Sequence, residues 1–173
     1  MNKGQSVRYV GVDPSLSGTG LVILDEDGQV VEAVSLKAGK EDDPLRFMEV
    51  TKRIRKHLNP ATDKVLIEGF SLGSRGAGVS KMFGIGWTIR IMLTEEVFQW
   101  QEVPPTSLKK FASNKGNAKK EDLVLPVYKK WGFETVSNDI LDAYVLSKMA
   151  WSMYNPENLL TYEEEVLKKI KKV

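Results

Sequence analysis

Apolar positions along this chain change period twice. Residues 7–13 alternate loosely and are rich in β-branched and aromatic side chains, which predicts a strand. Residues 21–24 predict a second strand and residues 30–36 a third, joined by a hairpin turn at Asp25 to Gly28. The period then becomes helical. Leu45, Met48, Ile54 and Leu58 fall near one stripe, which Phe47, Val50 and Thr51 widen. Asp42 or Asp43 suits the cap of this helix and Pro44 its first turn, and Asn59-Pro60 ends it. A short strand is predicted over 65–68, then a glycine-rich loop over 73–78.

A long helix is predicted from residue 79 to about 98. Its apolar residues occupy much of the circumference, so one core face does not account for them all. Gly84 and Gly86 each cost it about 1 kcal/mol relative to Ala, and both allow another backbone close. A fifth strand is predicted over 99–103, stopped by Pro104-Pro105, with a short helical turn over 107–112. A polar loop over 113–117 precedes a helix over 118–131 that Pro126 starts, breaks or kinks. Ser137 or Asn138 caps a helix over 139–154, and an amphipathic, peripheral helix is predicted over 162–173. Three antiparallel strands followed by α/β alternation predict a five-stranded mixed sheet with helices on both faces. The expected organisation is one domain over 1–155 with a C-terminal helical extension over 156–173.

Four acids stand at informative places in this pattern. Asp13 ends the first strand, Glu68 ends the fourth, and Asp139 and Asp142 open the 139–154 helix. A fourth strand laid parallel to the first through a right-handed crossover brings Asp13 and Glu68 to one edge, where open α/β sheets bind ligands. Residues three apart on a helix differ in direction by about 60°, so Asp139 and Asp142 can face one site. Each acid alone has a plainer use: a turn bond at Asp13, an idle strand end at Glu68, favourable dipole charges at Asp139 and Asp142. Gathered, they repel, and a divalent cation is the usual relief.

Composition narrows the chemistry. Cysteine is absent, which excludes disulfides, thiol catalysis and Cys-based zinc or iron–sulfur sites and fits a reducing cytoplasm. A single histidine, His57, excludes a His-rich metal site, so any metal is held mainly by oxygen. No run of about 18 apolar residues suggests a membrane span, and the first residues lack the apolar stretch of a secretory signal. Net charge is only +2, but five lysines and no acid lie between Lys109 and Lys120. Such a stretch suits phosphates, whereas the basic run at 168–172 reads more simply as a solvated helix face.

Four segments, in order, resemble the RuvC family of Holliday-junction resolvases, within the RNase H-like superfamily. They are Tyr9-Val10-Gly11-Val12-Asp13-Pro14-Ser15 with Gly18-Thr19-Gly20; Leu66-Ile67-Glu68 with Phe70; Gly116-Asn117-Ala118-Lys119-Lys120; and Asn138-Asp139-Ile140-Leu141-Asp142-Ala143-Tyr144. Glutamate on the fourth strand favours the resolvase branch over ordinary RNase H. Phe70 stands two residues after Glu68, where the family pattern has its aromatic three residues on.

The resemblance implies an RNase H-like fold and a crossover junction endodeoxyribonuclease acting in DNA recombination and repair. Asp13, Glu68, Asp139 and Asp142 would be catalytic and hold two Mg²⁺ (or Mn²⁺) ions. Lys120 matches the family's catalytic lysine. Phe70, Lys109, Lys110, Lys115, Lys119 and Lys120 would contact DNA. The partners implied are branched DNA and a second copy of the chain in a homodimer, with no membrane and no small-molecule cofactor. The place implied is the cytoplasm of a bacterial cell or phage-infected host. Three alternatives stay open: a related nuclease for flaps, Y-forks or RNA–DNA hybrids, a non-catalytic junction-binding module, and a phosphate loop of the actin-like ATPase kind at residues 13–20. The last needs two such domains to enclose a nucleotide, for which 173 residues leave no room.

Overall fold

The computed structural model describes residues 6–71, 76 and 78–170. Its strands are β1 (Arg8–Asp13), β2 (Thr19–Leu24), β3 (Val30–Leu36), β4 (Asp63–Glu68) and β5 (Gln99–Val103). Its helices are α1 (Leu45–Arg55), α2 (Val79–Glu95), α3 (Pro105–Ser113), α4 (Val124–Trp131), α5 (Asn138–Tyr154) and α6 (Thr161–Leu167), with a 3₁₀ turn at Lys120–Leu123. The five strands form one sheet in the order β3-β2-β1-β4-β5. β1, β2 and β3 pair antiparallel, and β4 lies parallel to both β1 and β5. This is the expected mixed sheet.

Alternation along β1 separates the two faces. Val10 and Val12 join Ile23, Val65 and Ile67 under α1 and α2, where Val50, Ile54, Ile85, Ile89 and Leu93 complete one core. Tyr9 turns the other way with Val22, Leu24 and Leu66, under α5 and α3. α5 is buried along most of its length, as expected of a helix apolar on nearly all sides. Two glycines let its backbone lie directly on the sheet. A Cβ at Gly11 would stand 1.9 Å from the Ala143 carbonyl oxygen, and one at Gly20 would stand 1.9 Å from that of Asp139. The N-terminal turn of α5 is thereby pressed against the rim where β1 ends.

Several boundaries differ from the sequence expectation. α1 is preceded by Pro44 without a side-chain cap, and Asp43 instead pairs with Arg46 at 2.6 Å. α2 stops at Glu95 because Val97 takes a left-handed φ of 59°, after which Phe98 turns back into the core. The helix expected over 118–131 is a 3₁₀ turn followed by α4; Pro126 falls in the first turn of α4, where no N–H is needed. The C-terminal helix is not peripheral. Val166 and Leu167 enter the core, Glu163 is buried in an ion pair with Lys130, and Lys110 reaches Glu165 at 2.9 Å. Of the glycine-rich loop at 73–78, only Gly76 and Gly78 are among the described residues.

Candidate active site

Parallel pairing of β1 and β4 runs through Val12 and Ile67, so the next residues on each strand, Asp13 and Glu68, emerge side by side at the carboxyl rim. The turn after Asp13 is closed by Thr19, whose hydroxyl accepts the Ser15 N–H at 3.2 Å and donates to the Ser15 carbonyl at 2.9 Å. That closure leaves the Asp13 carboxyl for the rim. Ser137 caps α5, its hydroxyl accepting the Ile140 N–H at 3.4 Å. Asp139 and Asp142 thus stand in the first turns of a helix held on the same rim. All four acids line one open cavity of about 500 Å³, together with Lys109 and Lys120.

The electrostatics are those of crowded carboxylates. Burial pushes Asp13 well above the ordinary carboxylate range, and the charges of Glu68 and Asp142 add to the shift. A hydrogen bond between Asp13 and Glu68 adds to the rise of the former and opposes that of the latter. Glu68 is raised by burial first and by Asp142 next, against the pull of Lys120 and Lys109. Asp139, also raised by burial, sits against the turn: a Cβ on Gly18 would lie 2.6 Å from its Oδ2. Lys120 places its ammonium 2.8 Å from Asp142 Oδ2. Burial lowers the Lys120 pKa, but the bond to Asp142 and the charges of Asp142, Asp13 and Glu68 outweigh it, leaving the group at about 12.

Within the chain, the raised carboxyl pKa values and the Lys120 ammonium ease this repulsion. Among the described residues, no group of three or more Asp, Glu, His or Cys side chains is arranged to hold a metal ion. The donor chemistry nevertheless suits one: four carboxyls, no thiolate and no imidazole around a single cavity. His57 is occupied elsewhere, 2.7 Å from Glu32.

Arrangement of the whole chain can be set beside solved structures. The structure of Thermus thermophilus RuvC matches with a TM-score of 0.67 at 16% identity, covering 87% of this chain and 97% of that one. T. thermophilus RuvC in complex with Holliday junction substrate matches with a TM-score of 0.65 at 17% identity, covering 81% of this chain and 92% of the other. The chain has the RuvC fold. No protein-family model and no curated protein matches the sequence.

On this RuvC fold the remaining candidate residues divide. Phe70 lines the cavity, stacked on Phe83 with ring centroids 4.6 Å apart and tilted against Trp87 at 5.4 Å. Lys109 and Lys120 line it as well. Lys110 is drawn away by Glu165, and Lys115 and Lys119 are exposed outside the cavity. Sequence reasoning missed Arg90, which is buried and reaches the cavity wall from α2. A lone arginine among apolar neighbours on that helix was the available signal.

Proposed function

We propose that this chain is a metal-dependent, structure-specific DNA endonuclease that resolves four-way junctions. It would make paired, symmetric phosphodiester cuts leaving a 5′-phosphate and a 3′-hydroxyl. The observation that carries this reading is the convergence of Asp13, Glu68, Asp139, Asp142 and Lys120 on one cavity at the carboxyl rim of a RuvC-fold sheet.

Asp13, Glu68, Asp139 and Asp142 would hold two magnesium or manganese ions. When bound, such ions activate a water for attack and stabilise the leaving oxygen. Asp13 would bind such an ion as its carboxylate, so its raised pKa opposes binding at low pH. Lys120, released from Asp142, turns its ammonium to the scissile phosphate and stabilises the charge that develops there. Lys109, in the same wall, contacts the adjoining phosphate. Lys110, Lys115 and Lys119 bind the duplex arms beyond the cavity, giving up the Glu165 contact at Lys110; phosphate contacts of this kind position DNA without reading sequence. The Phe70 ring, half-buried in the wall, meets an unpaired base where the arms diverge.

A four-way junction is close to two-fold symmetric, and a C2 dimer offers two cavities with the same symmetry. α2 supplies the contact face: Trp87 and Ile91 are 54% and 53% exposed, and with Trp100 they border an apolar groove of about 200 Å³. No described helix is long and apolar enough to cross a membrane.

The test is cleavage of an end-labelled synthetic four-way junction beside a flap, a Y-fork and an RNA–DNA hybrid, each with magnesium and with chelator. Paired cuts at symmetric positions on the junction, dependent on magnesium, are expected. Binding without any cleavage in magnesium or manganese would leave a junction-binding module in place of an enzyme.

A further inference from the structure

Arg90 is 2% exposed, and each nitrogen of its guanidinium donates a hydrogen bond. Nη1 donates to the Gly86 carbonyl at 2.9 Å, and Nη2 donates to the Glu68 carbonyl at 2.8 Å. Nε and Nη2 both donate to one carboxylate oxygen of Glu102, at 2.9 and 2.7 Å. Cζ lies 4.2 Å from the centroid of the Phe70 ring, a cation–π contact. One planar group therefore binds the last residue of β4, the ring in the cavity wall, its own helix and the edge strand β5.

The surroundings are shaped to permit this. A Cβ at Gly86 would come within 2.4 Å of the Phe70 ring, and one at Gly69 within 2.9 Å of Glu102 Oε1. Gly86 leaves room for the ring to lie on α2, while at Gly69 the near atom is only the flexible end of Glu102. Burying a guanidinium is costly, and an apolar side chain would fill the space more cheaply. Lysine cannot replace it, because a single ammonium has no fork with which to span these acceptors. Charge and planar shape together account for its presence.

Building on the nuclease reading of the cavity, we propose that Arg90 is a positioning residue for cleavage: it locks the Glu68 main chain and the Phe70 ring into one rigid unit. The carboxyl that serves the reacting phosphate and the ring that meets the DNA are two residues apart, with only Gly69 between them. Arg90 fixes their relation from the side, so that DNA seated on Phe70 presents its phosphate where Glu68 stands.

Arg90→Met and Arg90→Lys, in the full chain, test this against wild type. Junction affinity is read by anisotropy in calcium, and single-turnover cleavage is read against magnesium concentration with the cut positions mapped. Hydrogen exchange is followed at the backbone of residues 68–71. Both variants are expected to bind the junction within about threefold of wild type. They should cut at least about thirtyfold more slowly at saturating magnesium, the scale of a displacement near 1 Å. The magnesium midpoint should rise, cuts should spread to neighbouring phosphates, and exchange at 68–71 should quicken. A merely structural arginine would lower the melting temperature and leave midpoint and cut position unchanged. If Arg90→Met does not fold, Arg90→Lys is read by the same criteria. Cleavage within twofold of wild type at unchanged positions overturns the proposal. If wild type itself does not cut, the nuclease reading fails; unchanged exchange at 68–71 then refutes the positioning role independently.

Discussion

Asp13 occupies an unfavourable place for a negative charge: 3% exposed, bonded to a second carboxyl and facing a third. Its pKa is raised in the folded chain above the ordinary value of about 4, burial being the largest cause. An acid shifted this way keeps its full contribution to stability below its unfolded pKa and loses it as pH rises through the folded one. From about pH 4 upward, then, the metal-free fold loses stability, because Asp13 ionises in the unfolded chain while the fold still holds its proton. Asp13→Asn removes that cost, and a gain of about 1 kcal/mol would raise the melting temperature by roughly 2–4 °C at neutral pH. The gain should vanish near pH 4, where the wild-type group is protonated. Magnesium should stabilise wild type more at pH 8 than at pH 5.5 and leave Asp13→Asn nearly unchanged. Melting curves at three pH values, with magnesium and with chelator, check both statements. A variant less stable than wild type at every pH contradicts them.

At the scale of elements, the position of α5 decides whether the acids meet. Its backbone rests on Gly11 and Gly20, so any side chain there must push the helix off the sheet. Gly11→Ala is expected to cost about 3 kcal/mol, since overpacking of this kind meets backbone and not a flexible side chain. On a chain of this size that corresponds to a melting temperature lowered by roughly 6–12 °C. Because Asp139 and Asp142 ride on the same helix, junction cleavage measured well below the melting temperature should fall as well. Unchanged melting by calorimetry would show that α5 has room to move.

Much of this scale was legible in the sequence. Strand-end acids followed by Pro14 and by Gly69 mark their own rim, and Ser137 announces α5 as a cap. Contacts over long separations were not legible. Arg90 reads as one charge on an apolar helix, and nothing nearby in sequence says that it binds the Glu68 carbonyl and the Glu102 carboxylate. The Lys130–Glu163 pair, which ties α6 to α4, is equally silent, because each residue alone resembles a solvated charge. Lys110 reads as an unpaired charge in the sequence for the same reason, and in the fold it meets Glu165 on α6.

At the scale of the whole molecule, α2 carries two exposed apolar residues, Trp87 and Ile91, beside an apolar groove. Trp87, Ile91 and the groove they share with Trp100 lie on the α1–α2 side of the sheet, at β5, the edge next to β4. A dimer formed through this face predicts that Ile91→Glu sediments as a monomer while the folded core persists. Wild type should sediment as a dimer at micromolar concentration. The monomer should still nick one strand of a junction and lose the coordinated second cut. Wild type sedimenting as a monomer across that range contradicts the assignment of this face.

The most direct test of the cation-assisted nuclease reading is a labelled four-way junction offered to wild type and to Asp13→Asn. Wild type should cut in magnesium. Asp13→Asn should bind the junction comparably in calcium and cut about a thousandfold more slowly or worse, equivalent to about 4 kcal/mol in the barrier. Cleavage by the variant at the wild-type rate, from protein free of contaminating nuclease, would contradict the account.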